Sequence, residues 1–408
     1  MASEAPINVS VLSRMPEPRL NTAAFTLLMS LALWIESPVI DLLSTSTTLT
    51  KDRPSYAIMS RFSLLLMILA SGVHALVALT PLYWIVTTKI VQVPQEVAEH
   101  ARMGMILMIP WSACIGWRRY LQGILIRFGQ TRLVGLGTAV RICTISLTAG
   151  TLFFTTKLTG LEIASIALVL AVFAEASFAH WASRGSIAEH LQRTDPDYAS
   201  PDIHRLWRFH YPLTLTTMVN LSTSLLITAA LAHATGPILA LAAYQVAQTL
   251  LWLHRTAMFA LPEVVITLYK DAASAAALRR FSVTIGLLAS GLLLFCWSTG
   301  LDKLFFARLL GAQEDVVNVA HIAFVAAGAT PFLAALQSYV RGMLTAHHLT
   351  VARLYAVGVG ITVLVAALAV GIGFHLQGVV NAGVALTTSM TIELLVLVWL
   401  WRRNTRTA

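Results

Sequence analysis

The stretch Arg61-Phe-Ser-Leu-Leu-Leu-Met-Ile-Leu-Ala-Ser-Gly72 returns 219 positions later as Arg280-Phe-Ser-Val-Thr-Ile-Gly-Leu-Leu-Ala-Ser-Gly291. In the same register, Tyr120-Leu-Gln-Gly123-Ile-Leu125 matches Tyr339-Val-Arg-Gly342-Met-Leu344, and Thr131 matches Thr350. One short match is unremarkable in apolar sequence. Three matches at one offset, spread over the length of several helices, indicate a duplicated unit. A constant offset preserves order and direction, so the two halves are expected to be parallel repeats, related by an axis along a membrane normal.

Outward from these stretches the whole chain is apolar. Hydrophobic residues make up 57% and charged residues 12% of 408 positions, against about 25% charged in a typical soluble domain. The mean hydropathy is +0.74. Apolar segments of about 20 residues, the length a helix needs to cross a bilayer, recur from Asn21 to Trp401. Eleven spans are read in this way, among them 103–128 and 238–266. The expected fold is therefore an all-α polytopic membrane protein made of two helical lobes, with the lipid bilayer as its solvent. Cys114, Cys143 and Cys296 lie inside apolar segments and show neither metal spacing nor a disulfide framework.

The formal charge of +9 does not indicate nucleic acid, because the basic residues cluster in short loops and at span ends. Of 28 basic residues, 19 fall on one side of the expected topology and five on the other. That asymmetry predicts a cytoplasmic C-terminus. Arg118 and Arg119, after Trp111 and Trp117, are counted here as snorkelling residues at an interfacial helix end. No cleavable leader is read near Met1, where Pro6, Pro16 and Pro18 interrupt any apolar core.

The most polar connection, Gln192-Arg-Thr-Asp-Pro-Asp-Tyr-Ala-Ser-Pro-Asp202, divides the halves. The expected organisation is an N-terminal segment at 1–20, an N-lobe of five helices at 21–191, a linker at 192–202, a C-lobe of six helices at 203–403 and a tail at 404–408. The first half is one helix short, and Ile7-Asn-Val-Ser-Val-Leu-Ser-Arg14 reads as the remnant of that first helix.

Three stretches carry a family likeness. They are Pro110 through Trp117 to Gly123-Ile-Leu-Ile-Arg127 with Val134-Gly135, Ile203-His-Arg-Leu-Trp-Arg-Phe-His-Tyr-Pro-Leu213, and Leu261-Pro-Glu-Val-Val265. With the two-lobe repeat, they resemble the multidrug and toxic-compound extrusion (MATE) fold of the multidrug, oligosaccharide-lipid and polysaccharide (MOP) flippase superfamily. Within it they are most similar to the progressive ankylosis (ANK) branch and its bacterial relatives. The resemblance implies an exporter of a small organic, anionic solute in a bacterial cytoplasmic membrane, working by alternating access between lobes. The absent first helix departs from the pattern.

Ionisable side chains within spans are costly and mark candidate sites. Glu36, in Trp34-Ile-Glu-Ser-Pro38, and Asp41 lie late in the first span, and Glu263 lies in Leu261-Pro-Glu-Val-Val265. A proline next to each glutamate tends to kink its helix. These three are the expected coupling residues, for H+ or Na+. Arg141, His254 and Arg255 are the cations within spans; each serves either as counter-charge to a carboxylate or as an anion site in a substrate cavity. Thr216, Thr217, Asn220 and Ser224 share a helical face. They line that cavity or bond a neighbouring helix. Glu175 and His180, five apart, make a poor match for one face, and Glu393 is isolated in the last span.

No phosphate-binding loop, dinucleotide fingerprint or metal-binding cluster is present in the sequence. Neither an enzymatic activity nor a cofactor is expected. Three alternatives remain beside the exporter. A flippase for lipids or lipid-linked saccharides would use the same fold. A lipid-processing enzyme would need clustered catalytic groups at one interface. A non-transporting partner subunit would fit the short first half.

Overall fold

The computed structural model describes residues 4–195, 198–347 and 349–406, apart from the side chains of 263, 267, 350 and 404–406. The first half runs α1 (Ala5–Leu12), α2 (Pro18–Ile35), α3 (Ser37–Ile40), α4 (Leu42–Leu49), α5 (Arg53–Leu79), α6 (Leu82–Trp84), α7 (Gln95–Leu107), α8 (Ile109–Arg127), α9 (Thr131–Thr155) and α10 (Gly160–His190). The second half runs α11 (Ile203–Ala232), α12 (Pro237–Arg255), α13 (Leu261–Leu268), α14 (Ala272–Ser298), α15 (Leu301–Leu304), α16 (Glu314–Ala326), α17 (Thr330–Ala346), α18 (Thr350–Gly373) and α19 (Gly378–Arg406). No strand occurs among the described residues.

The repeat extends well beyond the matching stretches. Pairs α4/α13, α5/α14 and α7/α16 begin and end 219 positions apart, although most of their residues differ. The punctuation repeats too. Asp52 accepts from the Ser55 N–H at 3.0 Å to cap α5, and Asp271 accepts from the Ser274 N–H at 2.7 Å to cap α14. Each serine returns the favour by accepting from the cap residue's own N–H, at 3.0 and 2.8 Å, which closes a reciprocal capping box. A π-helical turn follows α6 at Ile85–Ile90, and another follows α15 at Phe305–Leu309.

The two caps differ in burial. Burial pushes the Asp52 carboxyl up, but hydrogen bonds from Ser55 and Ser200 outweigh it and hold the group below the usual carboxylate range. Its contribution to stability is therefore complete above the unfolded-state value and is lost as pH falls through the lower folded value. Asp52→Ala is expected to lower stability by about 1 kcal/mol at neutral pH. Below the folded titration the variant and wild-type melting curves, measured in detergent, should converge. A gap that persists there would assign the loss to packing.

Among the described residues, eight helices are long and apolar enough to cross a membrane, and a ninth span forms if α2 and the α3–α4 segment count as one, bent by 61°. The remaining two expected spans are broken. Segment 103–128 divides at Met108 between α7 and α8. Segment 238–266 divides at a 3-10 turn, Thr256–Phe259. Proline stands at the start of α8 and of α13; it fits a first helical turn and disrupts an interior one. The equivalent of the α7–α8 pair in the second half passes as a single span, Glu314–Ala346.

Two compact units are distinguished, Leu27–Ile90 with Gln95–Leu225, and Met1–Thr26 with Val91–Pro94 and Leu226–Ala408. They are called the N-terminal and C-terminal units below. Their boundaries lie inside α2 and α11, and the 192–202 connection lies within the N-terminal unit. Hydrogen bonding accounts for both. In the N-terminal unit, α11 is tied to α2 by Ser30–Ser224 (2.9 Å) and by Trp34 Nε1 donating to Ser222 (3.0 Å). In the C-terminal unit, Arg14 donates to the carbonyls of Arg308 and Leu309 at 2.9 and 3.0 Å. There Arg19 pairs with Asp315 at 2.7 Å, and Thr26 donates to the Leu241 carbonyl at 3.1 Å.

Candidate functional site

The N-terminal unit holds a concentration of buried charge where its first long helix breaks. Glu36 stands between α2 and α3 and Asp41 between α3 and α4, with Pro38 in the first turn of α3. His210, fully buried on α11, bridges the break. Its Nε2 donates to the Pro38 carbonyl at 2.8 Å, which leaves Nδ1 to accept from Thr45 Oγ1 at 2.8 Å. A carbonyl can only accept, so the bond to Pro38 selects the tautomer. Phe62 lies edge-on to the imidazole at 5.2 Å. A histidine from another helix thus takes up a backbone carbonyl at the kinked break.

Three helices bring partners to this end of the unit. From α8, Arg118 Nη1 donates to Glu175 Oε2 on α10 at 2.8 Å, and Gln122 Nε2 donates to Glu175 Oε1 at 3.0 Å. From α9, Arg141 Nη1 reaches the same Oε2 at 3.3 Å. Gly137, one turn before Arg141, would place a Cβ 3.5 Å from the Glu175 side chain, an ordinary van der Waals contact, so α9 packs directly on the glutamate there. Arg119, beside Arg118, is within electrostatic reach of Glu36, Glu175 and Asp41. Glu36 is wholly buried, Arg118 is 5% exposed and Arg141 2%. Three guanidinium groups and three carboxylates are thus linked electrostatically through Arg119, with Glu36, Glu175, Arg118 and Arg141 buried and Arg119 and Asp41 half-buried. Removing charge from either side unbalances the network, because an uncompensated ion in a low dielectric is expensive.

This corrects the reading of Arg118 and Arg119 as snorkelling residues at a helix end. Arg118 is buried and ion-paired, and Trp111 is buried as well. In the second half Arg341 is likewise internal, hydrogen-bonded to Glu393. Taking these three from the 19 basic residues on that side leaves 16 against five, so the charge asymmetry keeps its sign. Glu175, set aside from its spacing to His180, is the hub of the network.

Of the other expected site residues, Arg255 and His254 end α12 in the C-terminal unit, both half-buried. His254 Nδ1 bonds its own helix at the Leu250 carbonyl, 2.8 Å away, and its ring lies 5.7 Å from Phe324. Glu263 falls in α13, with its side chain outside the described residues. On α11, Asn220 is exposed and Thr217 half-buried. Thr216 bonds back to the Pro212 carbonyl at 2.9 Å, while Ser224 does join a neighbouring helix. The structure thus brings Glu36, Asp41 and Arg141 into one network and leaves Arg255, His254, Thr217 and Asn220 outside it.

The second half carries a rearranged version of the site. The arginine–glutamine pair one turn apart, Arg118 and Gln122, becomes Gln337 and Arg341 at the same repeat positions. The glutamate recurs fifteen residues into the last helix of each half, as Glu175 after Gly160 and Glu393 after Gly378. The two glutamates are 218 apart, one position off the register of the other matches, so a comparison of the halves at the constant offset passes them by.

No protein-family model and no curated protein sequence matches the chain. Solved structures do. The chain is similar to a multidrug resistance MATE family transporter of the MOP superfamily in an inward-facing conformation, with TM-score 0.74 and 14% identity over 99% of this chain and 94% of that one. It is similar to lipid II flippase MurJ in an inward closed conformation, with TM-score 0.75 and 11% identity over 98% and 86%. A MOP superfamily transporter from Pyrococcus furiosus matches with TM-score 0.65 and 14% identity over 98% and 90%. At such identities the likeness is one of architecture: the chain has the helical membrane fold of the MATE and MOP-superfamily transporters and flippases.

Proposed function

We propose that the chain is a secondary transporter that moves a small organic solute across a membrane by alternating access between two lobes. The observation that carries this reading is the buried, charge-balanced network at the helix break around Glu36, set in a fold shared with transporters. Buried ions are expensive inside a bilayer and persist where they serve a path for ions or substrate. A carboxylate at a helix break, faced by an arginine, can exchange its counter-charge for a proton or a cation. The break then provides the movable element. Glu36 is the coupling residue in this scheme, Asp41 shares its arginine, and Glu263 is a candidate at the second break. The narrower likeness to the progressive ankylosis branch rests on the sequence stretches alone.

In proteoliposomes, Glu36→Gln is expected to insert and fold, since it keeps the shape, and to flatten the pH dependence of solute uptake. Wild-type pH profiles for both Glu36→Gln and Glu263→Gln would make these carboxylates structural. The flippase reading is favoured by the similarity to MurJ. It requires that a labelled lipid, and no soluble compound, crosses the same vesicles.

A further inference from the structure

The short helices α6 and α15 repeat in backbone and differ in chemistry. In the first half, Tyr83 is wholly buried and its hydroxyl donates to the Ala98 carbonyl, while Arg102 on α7 lies over the Trp84 ring at 5.6 Å. At the same repeat positions, the second half has Asp302 on α15 and His321 on α16. A phenol and a guanidinium keep one protonation state near neutral pH. An imidazole can change its charge there.

Asp302 is wholly buried, and its Oδ2 accepts from His321 Nδ1 at 2.6 Å. Its Oδ1 is buried with no hydrogen-bond partner. The His321 side chain is 19% exposed. Trp297, from the end of α14, stacks on the imidazole with ring centres 5.4 Å apart and planes 16° from parallel. With the imidazole neutral, the carboxylate is a buried ion without a counter-charge, which is expensive. Because Nδ1–H points at Asp302, a further proton enters from water at Nε2. It makes the pair neutral overall and places an imidazolium on the face of an indole, which attracts a cation.

Other ionisable groups stand apart or are already paired. Cys296 on α14 is within electrostatic reach of Asp302 and is neutral as a thiol; Arg279 and Arg280 lie toward the other end of that helix. Lys303 and Arg308, on either side of the π-helical turn's start, and Glu314, which begins α16, are exposed. Asp315 pairs with Arg19. Of the helices packed against α16, α12 carries Tyr244, His254 and Arg255, with His254 lying on Phe324, and α19 carries Glu393, bonded to Arg341.

We propose that Asp302 and His321 form a proton-binding site in the C-terminal unit, and that its occupancy contributes to the pH dependence of transport. The second clause rests on the transporter reading; the site does not. Tryptophan emission of the full-length protein in detergent is recorded while the pH is lowered from about 8 to about 5, the range in which histidine changes charge. An imidazolium stacked on an indole quenches its emission. The difference between wild type and Trp297→Phe, which isolates Trp297, should show a reversible quenching step. His321→Gln, which keeps a donor toward Asp302 and cannot become charged, should lack that step. Asp302→Asn should quench about threefold less at the pH where wild type is half quenched, because the counter-charge is gone.

No step in the wild-type difference, a step that persists in His321→Gln, or an Asp302→Asn titration identical to wild type would each overturn the site. The Asp302→Asn comparison decides alone if His321→Gln gives no monodisperse protein. In a second arm, His321→Gln in proteoliposomes should alter the pH profile of solute uptake. An unchanged profile with the quenching step intact would refute the second clause and leave the site. Vesicles that take up no solute would sink the transporter reading without touching the fluorescence step, so the two readings fail separately.

Discussion

Replacing Glu175 with alanine is expected to cost more stability than any other single change in the N-terminal unit. Its two oxygens receive Arg118, Arg141 and Gln122 at 2.8, 3.3 and 3.0 Å. Both arginines are buried, so neither can turn to water when the carboxylate is removed. Breaking a buried pair in this way costs about 3–5 kcal/mol, because a charge is left uncompensated. Here one carboxylate serves two charges. Glu175→Ala should therefore shift the melting temperature strongly downward in fluorescence-detected size exclusion, or remove the monodisperse peak. Glu175→Gln should do the same to a lesser degree, since the amide retains hydrogen bonding without charge. Adding Arg141→Gln to Glu175→Gln should restore part of the loss by removing a stranded cation. A Glu175→Ala protein with wild-type melting would refute the hub assignment.

The second large effect concerns two glycines related by the repeat. A Cβ at Gly123 would lie 2.7 Å from the Leu43 carbonyl oxygen and 2.7 Å from Ser46 Cβ. At Gly342 it would lie 2.7 Å from Val265 Cβ and 3.1 Å from the Pro262 carbonyl oxygen. In each half the glycine lets α8 or α17 close onto the short helix after the break, α4 or α13. At Gly123 the contact is secured by Ser46 Oγ donating to the Tyr120 carbonyl at 2.9 Å and Thr47 Oγ1 donating to the Gly123 carbonyl at 3.2 Å. A backbone oxygen cannot swing aside as a side chain does. Gly123→Ala and Gly342→Ala are each expected to cost about 1–3 kcal/mol by overpacking, and leucine more. Gly72 and Gly291, also repeat-related, have nothing within 4 Å of a built Cβ, so alanine should be tolerated at both. Equal melting losses at all four positions would remove the packing argument.

Much of this architecture is local and therefore legible along the chain. Hydropathy decides that the helices lie in a membrane, because about 20 apolar residues can satisfy their backbone there only as a helix. The offset read from Arg61–Gly72 and Arg280–Gly291 predicts the register of the second half, and the capping boxes at Asp52 and Asp271 obey it. Those features depend on neighbours within a few residues, which the sequence displays directly. The prolines likewise announce the breaks near Glu36 and Glu263, since a proline acts on its own helix.

Charge pairing is a different kind of fact. Arg118 and Glu175 lie 57 residues apart, and Arg141 and Glu175 34 apart. Their meeting depends on the rotation of three helices about their own axes and on their packing order, neither of which hydropathy records. In one dimension an arginine after two tryptophans looks like an interfacial anchor; only packing shows that its guanidinium turns inward to a carboxylate. The same holds for the unit boundaries inside α2 and α11, which follow hydrogen bonds between distant segments and not the polarity of the 192–202 connection. The sequence by itself determined the membrane class, the duplication and the helix ends, because each arises from interactions within one helix or from solvent. Tertiary structure decided which charges share a counter-ion, because that choice is made between helices, where a few degrees of rotation separate a paired arginine from an unpaired one.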